Sequence, residues 1–326
     1  MKLLGGMALG ALASAVVLHL IAPSHGHVHT RLVAEDASAP LSRIAIHYAP
    51  ASDQVALGVW RQLFAVLPPS VEVDVEVART ADFARFTREI AADGHVDRHL
   101  GRFHPVVVGT TITTWSRDRY AALVDDEGRG SILAPPRLEA PTPERAGDAR
   151  SPYAISRALY HRDPKVANIV FEGGDLAATP DLVFADINLA GRNVGHGAAD
   201  PASIQREIHA RLGQHLVWLG TTVGDVPRHH IMMYMMPIDD HTIAVGDIRA
   251  GVQLLGSTPL ALDDVDVEAA RFDHAAEQLA ARGFKVVRVP ALVLAGAGSY
   301  VTYTNALFDK RGTQKIVYMP TYALPA

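Results

Sequence analysis

From residue 43 onward, strand-like stretches alternate with stretches of helical periodicity, and pairs of strands recur between the helices. That order restricts the chain to a mixed α/β fold in which helices cover sheets, built from β-β-α-β-like units. Strands are predicted at 43–49, 71–77, 105–109, 181–188, 217–220, 231–236, 242–245, 285–289, 300–305 and 315–319, with a further apolar strand over 168–171. A hairpin is predicted over 120–133. Helical spacing covers 54–66, 80–92, 152–161, 201–216 and 267–281, the fourth with Asp200 as cap and Pro201 in its first turn. The alternation V-E-V-D-V-E-V at 71–77 predicts a half-buried strand near a sheet edge. The Pro-, Glu- and Ala-rich stretch 135–151 predicts an exposed loop inserted between elements.

The chain has 326 residues, of which 48% are hydrophobic and 20% charged, a composition that supports a large globular core. Net charge is -5 and no basic block is present, which argues against a nucleic-acid partner and permits small cationic ligands. There is no cysteine, so disulfides, thiolate zinc sites and cysteine nucleophiles are excluded within these residues.

The first 22 residues carry Lys2 before an apolar run, with Ala13-Ser14-Ala15 as a small-x-small cleavage pattern. They predict a signal peptide or a membrane anchor, and hence an exported protein, periplasmic or extracellular. Residues 23–42, with His25, His27 and His29, read as a solvated tether; no carboxylate is spaced to complete a metal site with them. The remainder, 43–326, reads as one domain.

Three stretches place polar residues where apolar strands stop. They are T-T-W-S-R-D-R-Y (113–120), N-I-V-F-E-G-G-D-L (168–176), and the run from His229-His230 to Asp247. Alone, each has an ordinary structural reading: a surface ion pair under an aromatic, a hairpin turn, and histidines at a strand start. The methionines at 232, 233, 235 and 236 read as core filler. Together, carboxylates and histidine gathered at strand ends suit a cationic ligand and proton transfer.

The order of these motifs resembles the agmatine deiminase and bacterial-type peptidylarginine deiminase family of the guanidino-modifying (pentein) superfamily. Trp115-Ser116-Arg117-Asp118 matches W-x-R-D, and Glu172-Gly173-Gly174 matches E-G-G. Residues 230–240 match G-H-x-D-M in part, and the tyrosine-rich 299–305 with 317–322 is similar to the late T-N and V-P-x-Y signature. The resemblance implies a propeller of five β-β-α-β units around a central pocket and hydrolysis of a guanidinium C–N bond. It assigns His230 and Glu172 to catalysis, and Asp118, Trp115, Gly174 and Asn305 to substrate binding. Asp118 and Glu172 would grip the planar cation, His230 would move protons, and the glycines would clear space. It implies a guanidino or amine ligand or an arginyl peptide as partner, and neither a metal nor an organic cofactor.

The chain departs from the pattern twice. Met232 stands where the family has a second aspartate, two residues after the histidine, and the nucleophilic cysteine is missing. The fifth unit is expected to be incomplete, with exposed strand edges that would favour self-association. Three readings stay open: a non-catalytic binding protein, a truncated deiminase, and a metal-assisted hydrolase using His230.

Overall fold

A computed structural model describes residues 30–92, 97–136, 142–198, 200–296, 299–319 and 322. The predicted signal or anchor and the histidines at 25, 27 and 29 lie outside the described residues. Among the described residues, no helix is long and apolar enough to cross a membrane.

The chain enters as β1 (Thr30–Leu32), which pairs antiparallel with a later strand at 123–125. Leu32 and Asp36 are buried, so the stretch expected as a tether is part of the fold from Thr30 onward. A parallel sheet follows, formed by β2 (Arg43–Tyr48), β3 (Glu72–Val77) and β4 (Phe103–Val107), with β3 in the centre. Helices α1 (Asp53–Val66) and α2 (Thr80–Ala91) supply the crossovers. Tyr48, Phe64, Phe86 and Phe103 pack into one aromatic cluster against the valines of β3.

The prediction of a half-buried edge strand at 71–77 is corrected here. Asp74 and Glu76 are buried as fully as the valines beside them. Partners elsewhere in the sequence make this tolerable: Arg43 clasps Asp74 through two hydrogen bonds of 2.6 and 3.0 Å, and Tyr120 donates to Glu76 at 2.6 Å.

The hairpin β5 (Ala121–Asp125) and β6 (Gly130–Ala134) forms as predicted. The stretch expected as an exposed loop instead holds helix α3 (Pro143–Asp148), whose N-cap Thr142 accepts from the amide of Arg145. Helix α4 (Ser151–Tyr160) leads to the two-residue strand β7 (Lys165–Val166), which adds parallel to β6. Next come β8 (Ala177–Ala178), β9 (Leu182–Asp186), α5 (Ile187–Arg192), α6 (Pro201–Arg211) and β10 (His215–Leu219). β8 is antiparallel to β9, and β10 is parallel to it.

The same topology recurs in β11 (Met235–Pro237), β12 (Thr242–Asp247), α7 (Ile248–Leu255), α8 (Val265–Ala281) and β13 (Lys285–Leu294), closed by β14 (Ser299–Thr302). A separate two-stranded sheet joins β15 (Leu307–Arg311) to β16 (Gln314–Tyr318). The fold is thus mixed α/β, and an antiparallel pair followed by a helical crossover to a parallel strand recurs in three sheets. The largest apolar core runs between the sheets of β8–β10 and β11–β14 and includes Met232, Met235 and Met236.

Candidate functional site

Residues 168–171 do not form the expected strand. The chain bends at 168–169, and the side chain of Asn193 takes the place of a neighbouring strand at Val170. It accepts from the Val170 amide and donates to the Val170 and Leu189 carbonyls, each at 2.8 Å. The chain then turns sharply in a 3-10 turn at Gly173–Asp175, where the Glu172 amide donates to Asp175 Oδ2 at 2.8 Å. Gly173 is pressed against the carbonyls of Arg117 and Tyr120; a Cβ there would lie 2.2 Å from the first. This contact binds the E-G-G turn to the 3-10 turn Ser116–Arg119, which carries Asp118, itself 6% exposed.

His230 arrives from the far side. His229 holds a left-handed backbone with φ of 68°, a costly conformation for a non-glycine residue, and this aims its neighbour inward. His230 Nε2 lies 2.6 Å from Glu172 Oε2. The structure therefore brings together Glu172 and His230, and it draws Asp118 into the same cluster through a cation from the chain itself. Arg145, on α3, places Nη1 2.6 Å from Asp118 Oδ2 and 3.5 Å from Asp148 Oδ2, with Nη2 3.8 Å from Glu172 Oε1. Arg192, the last residue of α5, places Nη2 3.0 Å from Glu172 Oε2 and Nε 3.1 Å from Asp175 Oδ2.

These contacts govern the protonation states. Burial alone would raise the Glu172 carboxyl, but the hydrogen bond with His230 and the charges of Arg192 and Arg145 hold it at about 2. Burial alone would lower His230, and the Glu172 hydrogen bond with the charges of Asp175 and Asp118 outweighs it, so the imidazole is raised. Asp175 is raised by burial, against the pull of Arg192. His229 is lowered by burial and by the neighbouring His230 and Arg192 charges. The arrangement is a carboxylate–imidazole pair flanked by the ion pairs of Arg145 and Arg192.

The other expected site residues stand differently. Gly174 serves the imidazole, because a Cβ on it would lie 2.6 Å from His230 Nδ1. Trp115 is 63% exposed on the rim of an open groove of about 700 Å³. That groove lies at the carboxyl ends of β2–β4 and is lined by Tyr48, Arg79, Thr111 and Thr114 but not by Glu172 or His230. Asn305 is exposed in the turn between β14 and β15, and among the described residues no hydrogen bond ties it to the cluster. Its neighbour Thr304 donates to the Met232 carbonyl at 3.3 Å, while the Met232 side chain joins the apolar core. Arg117 does not pair with Asp118 but with Glu35, in the stretch read as a tether.

Sequence reasoning missed Arg145 and Arg192. Thr142-Pro143, a cap followed by proline in the first turn, is a usable signal for the short helix that carries Arg145. No local signal marks Arg192. Among the described residues, no group of three His, Asp or Glu is placed to hold a metal ion.

No protein-family profile and no curated protein sequence matches the chain. Solved structures do. An agmatine deiminase of C. jejuni is 17% identical, covering 90% of this chain and 83% of that chain at a TM-score of 0.62. A structure provisionally assigned as a peptidyl-arginine deiminase is 17% identical, covering 91% and 86%, at 0.62. An agmatine deiminase of Enterococcus faecalis is 15% identical, covering 80% and 71%, at 0.57. At these identities the likeness is one of fold: the chain is folded as agmatine and peptidylarginine deiminases are, and it contains no cysteine.

Proposed function

We propose that this chain is an exported guanidinium-recognition protein on the deiminase fold, without the covalent chemistry of a cysteine hydrolase. In this reading the β-β-α-β units are arranged as propeller blades around the cluster of Asp118, Glu172 and His230. One observation carries it. A single guanidinium, that of Arg145, contacts both Asp118 and Glu172, while His230 sits on the opposite oxygen of Glu172. Residues distant in sequence thus form a carboxylate seat with the spacing and charge that a planar, forked cation requires.

Two features support the loss of deimination. No thiolate nucleophile lies within these 326 residues, and a hydroxyl is far weaker at neutral pH. Met232 fills with a buried thioether the position where the resemblance places a second carboxylate. The ligand class is a guanidino or amine compound, free or as an arginyl side chain.

The test combines an ammonia-release assay on agmatine, arginine and an arginyl peptide with calorimetric titration of the same compounds. No ammonia is expected, together with weak binding that Glu172→Ala abolishes. Ammonia release would refute the non-catalytic reading. Absence of binding by any variant with an emptied site would refute the guanidinium seat itself.

A further inference from the structure

Resting on that reading, we propose that Arg145 is a built-in ligand: its side chain occupies the guanidinium seat and must withdraw before any external guanidino compound can enter. The two carboxylates assigned to an incoming cation, Asp118 at 2.6 Å and Glu172 at 3.8 Å, are two of the three that Arg145 contacts, the third being Asp148 at 3.5 Å. The second oxygen of Glu172 is already shared by His230 and Arg192. No carboxylate in the cluster is left for a visitor while Arg145 is in place.

The helix that delivers Arg145 is anchored at its C-terminal end. At its C-terminal end, Gly147 packs so closely on Thr111 that a Cβ would lie 1.7 Å from the carbonyl oxygen. Asp148 is fully buried and accepts from the Thr113 amide at 2.7 Å and the Thr113 hydroxyl at 2.8 Å. Arg145 lies one turn earlier, and its side chain is 25% exposed. The side chain can therefore swing out, giving up its 3.5 Å contact with Asp148, while the two Thr113 hydrogen bonds still hold the end of the helix. A tethered guanidinium competes at an effective concentration on the order of millimolar, enough to mask the seat from dilute free ligands.

The experiment compares wild-type protein, Arg145→Ala, Arg145→Gln and the surface control Arg157→Ala, each titrated with methylguanidinium and with the neutral isostere methylurea. The two Arg145 variants are expected to bind methylguanidinium at least tenfold more tightly than wild type, to gain thermal stability from it, and to ignore methylurea. Arg157→Ala is expected to match wild type. Equal binding by wild type and the Arg145 variants would overturn the built-in-ligand proposal while leaving the guanidinium seat standing. Binding by none would overturn both. If Arg145→Ala fails to fold, refolding in methylguanidinium against methylammonium decides the matter: selective rescue is expected, and its absence overturns the proposal.

Discussion

The imidazole of His230 rests on the backbone of Gly174, with Nδ1 2.6 Å from where a Cβ would stand. The opposite edge of the ring then meets Glu172 at 2.6 Å. The glycine pair of the E-G-G turn thus clears room for protein rather than for ligand. Gly173 admits the carbonyls of the Asp118 turn, and Gly174 admits the histidine.

Gly174→Ala should therefore push the imidazole off Glu172. Overpacking of this kind costs about 1–3 kcal/mol, read as a lower unfolding midpoint in urea. The variant should also lower the His230 pKa, since displacement removes the contact that holds it up.

Glu172→Gln separates the charge from the shape of that contact. The Glu172 carboxyl lies at about 2 in the folded protein against an ordinary 4.5. A depressed folded value stabilises above the unfolded value and is lost as pH falls through the folded one, so the linked stability disappears between about pH 4.5 and 2. The shift corresponds to roughly 3 kcal/mol. Urea unfolding at about pH 6 and about pH 3 should show a shallower acid loss in Glu172→Gln than in wild type. The His230 imidazole, followed by NMR, should titrate lower in the variant.

Arg192→Met should be more damaging than its partial exposure suggests. Asp175 is 3% exposed, and Arg192 is the cation 3.1 Å from it. A buried carboxylate left without its counter-ion costs about 3 kcal/mol, measurable by chemical denaturation. Arg192→Lys, which keeps the charge, should lose less.

His47 gives the opposite pH signature. It is fully buried, with Nε2 3.4 Å from Glu76 and Nδ1 3.9 Å from Asp148 and 3.1 Å from the Thr113 carbonyl. Burial would lower it, but Glu76 and Asp148 outweigh that, and its pKa is raised. A raised folded value stabilises below the ordinary 6.5 and is lost as pH climbs through the folded value. Melting temperatures taken from about pH 6 to about pH 9 should fall less steeply for His47→Gln than for wild type.

Much of the fold was legible because it rests on short-range regularities. Asp200 and Pro201 open a helix as predicted, although it stops at Arg211 rather than running on to 216. The hairpin across Gly128 closes as predicted, and the strand–strand–helix–strand order reappears in three sheets. Two of the failures come from partners distant in sequence. The acids of β3 look like a solvent face until Arg43 and Tyr120 arrive from elsewhere in the sequence. The strand expected at 168–171 loses its ladder to the side chain of Asn193. Helix α7 and strand β15 were missed because they are short and lie between stronger signals.

Sequence alone determined the α/β order of elements, the carboxylates and histidine available for a cationic site, and the lack of a thiol. Tertiary structure decided which charges meet. Asp118 faces Arg145, Glu172 faces His230 and Arg192, and Trp115 stands apart on its own groove. Periodicity and capping act over a few residues, whereas a buried carboxylate is neutralised by whichever cation the packed chain carries within a few ångströms.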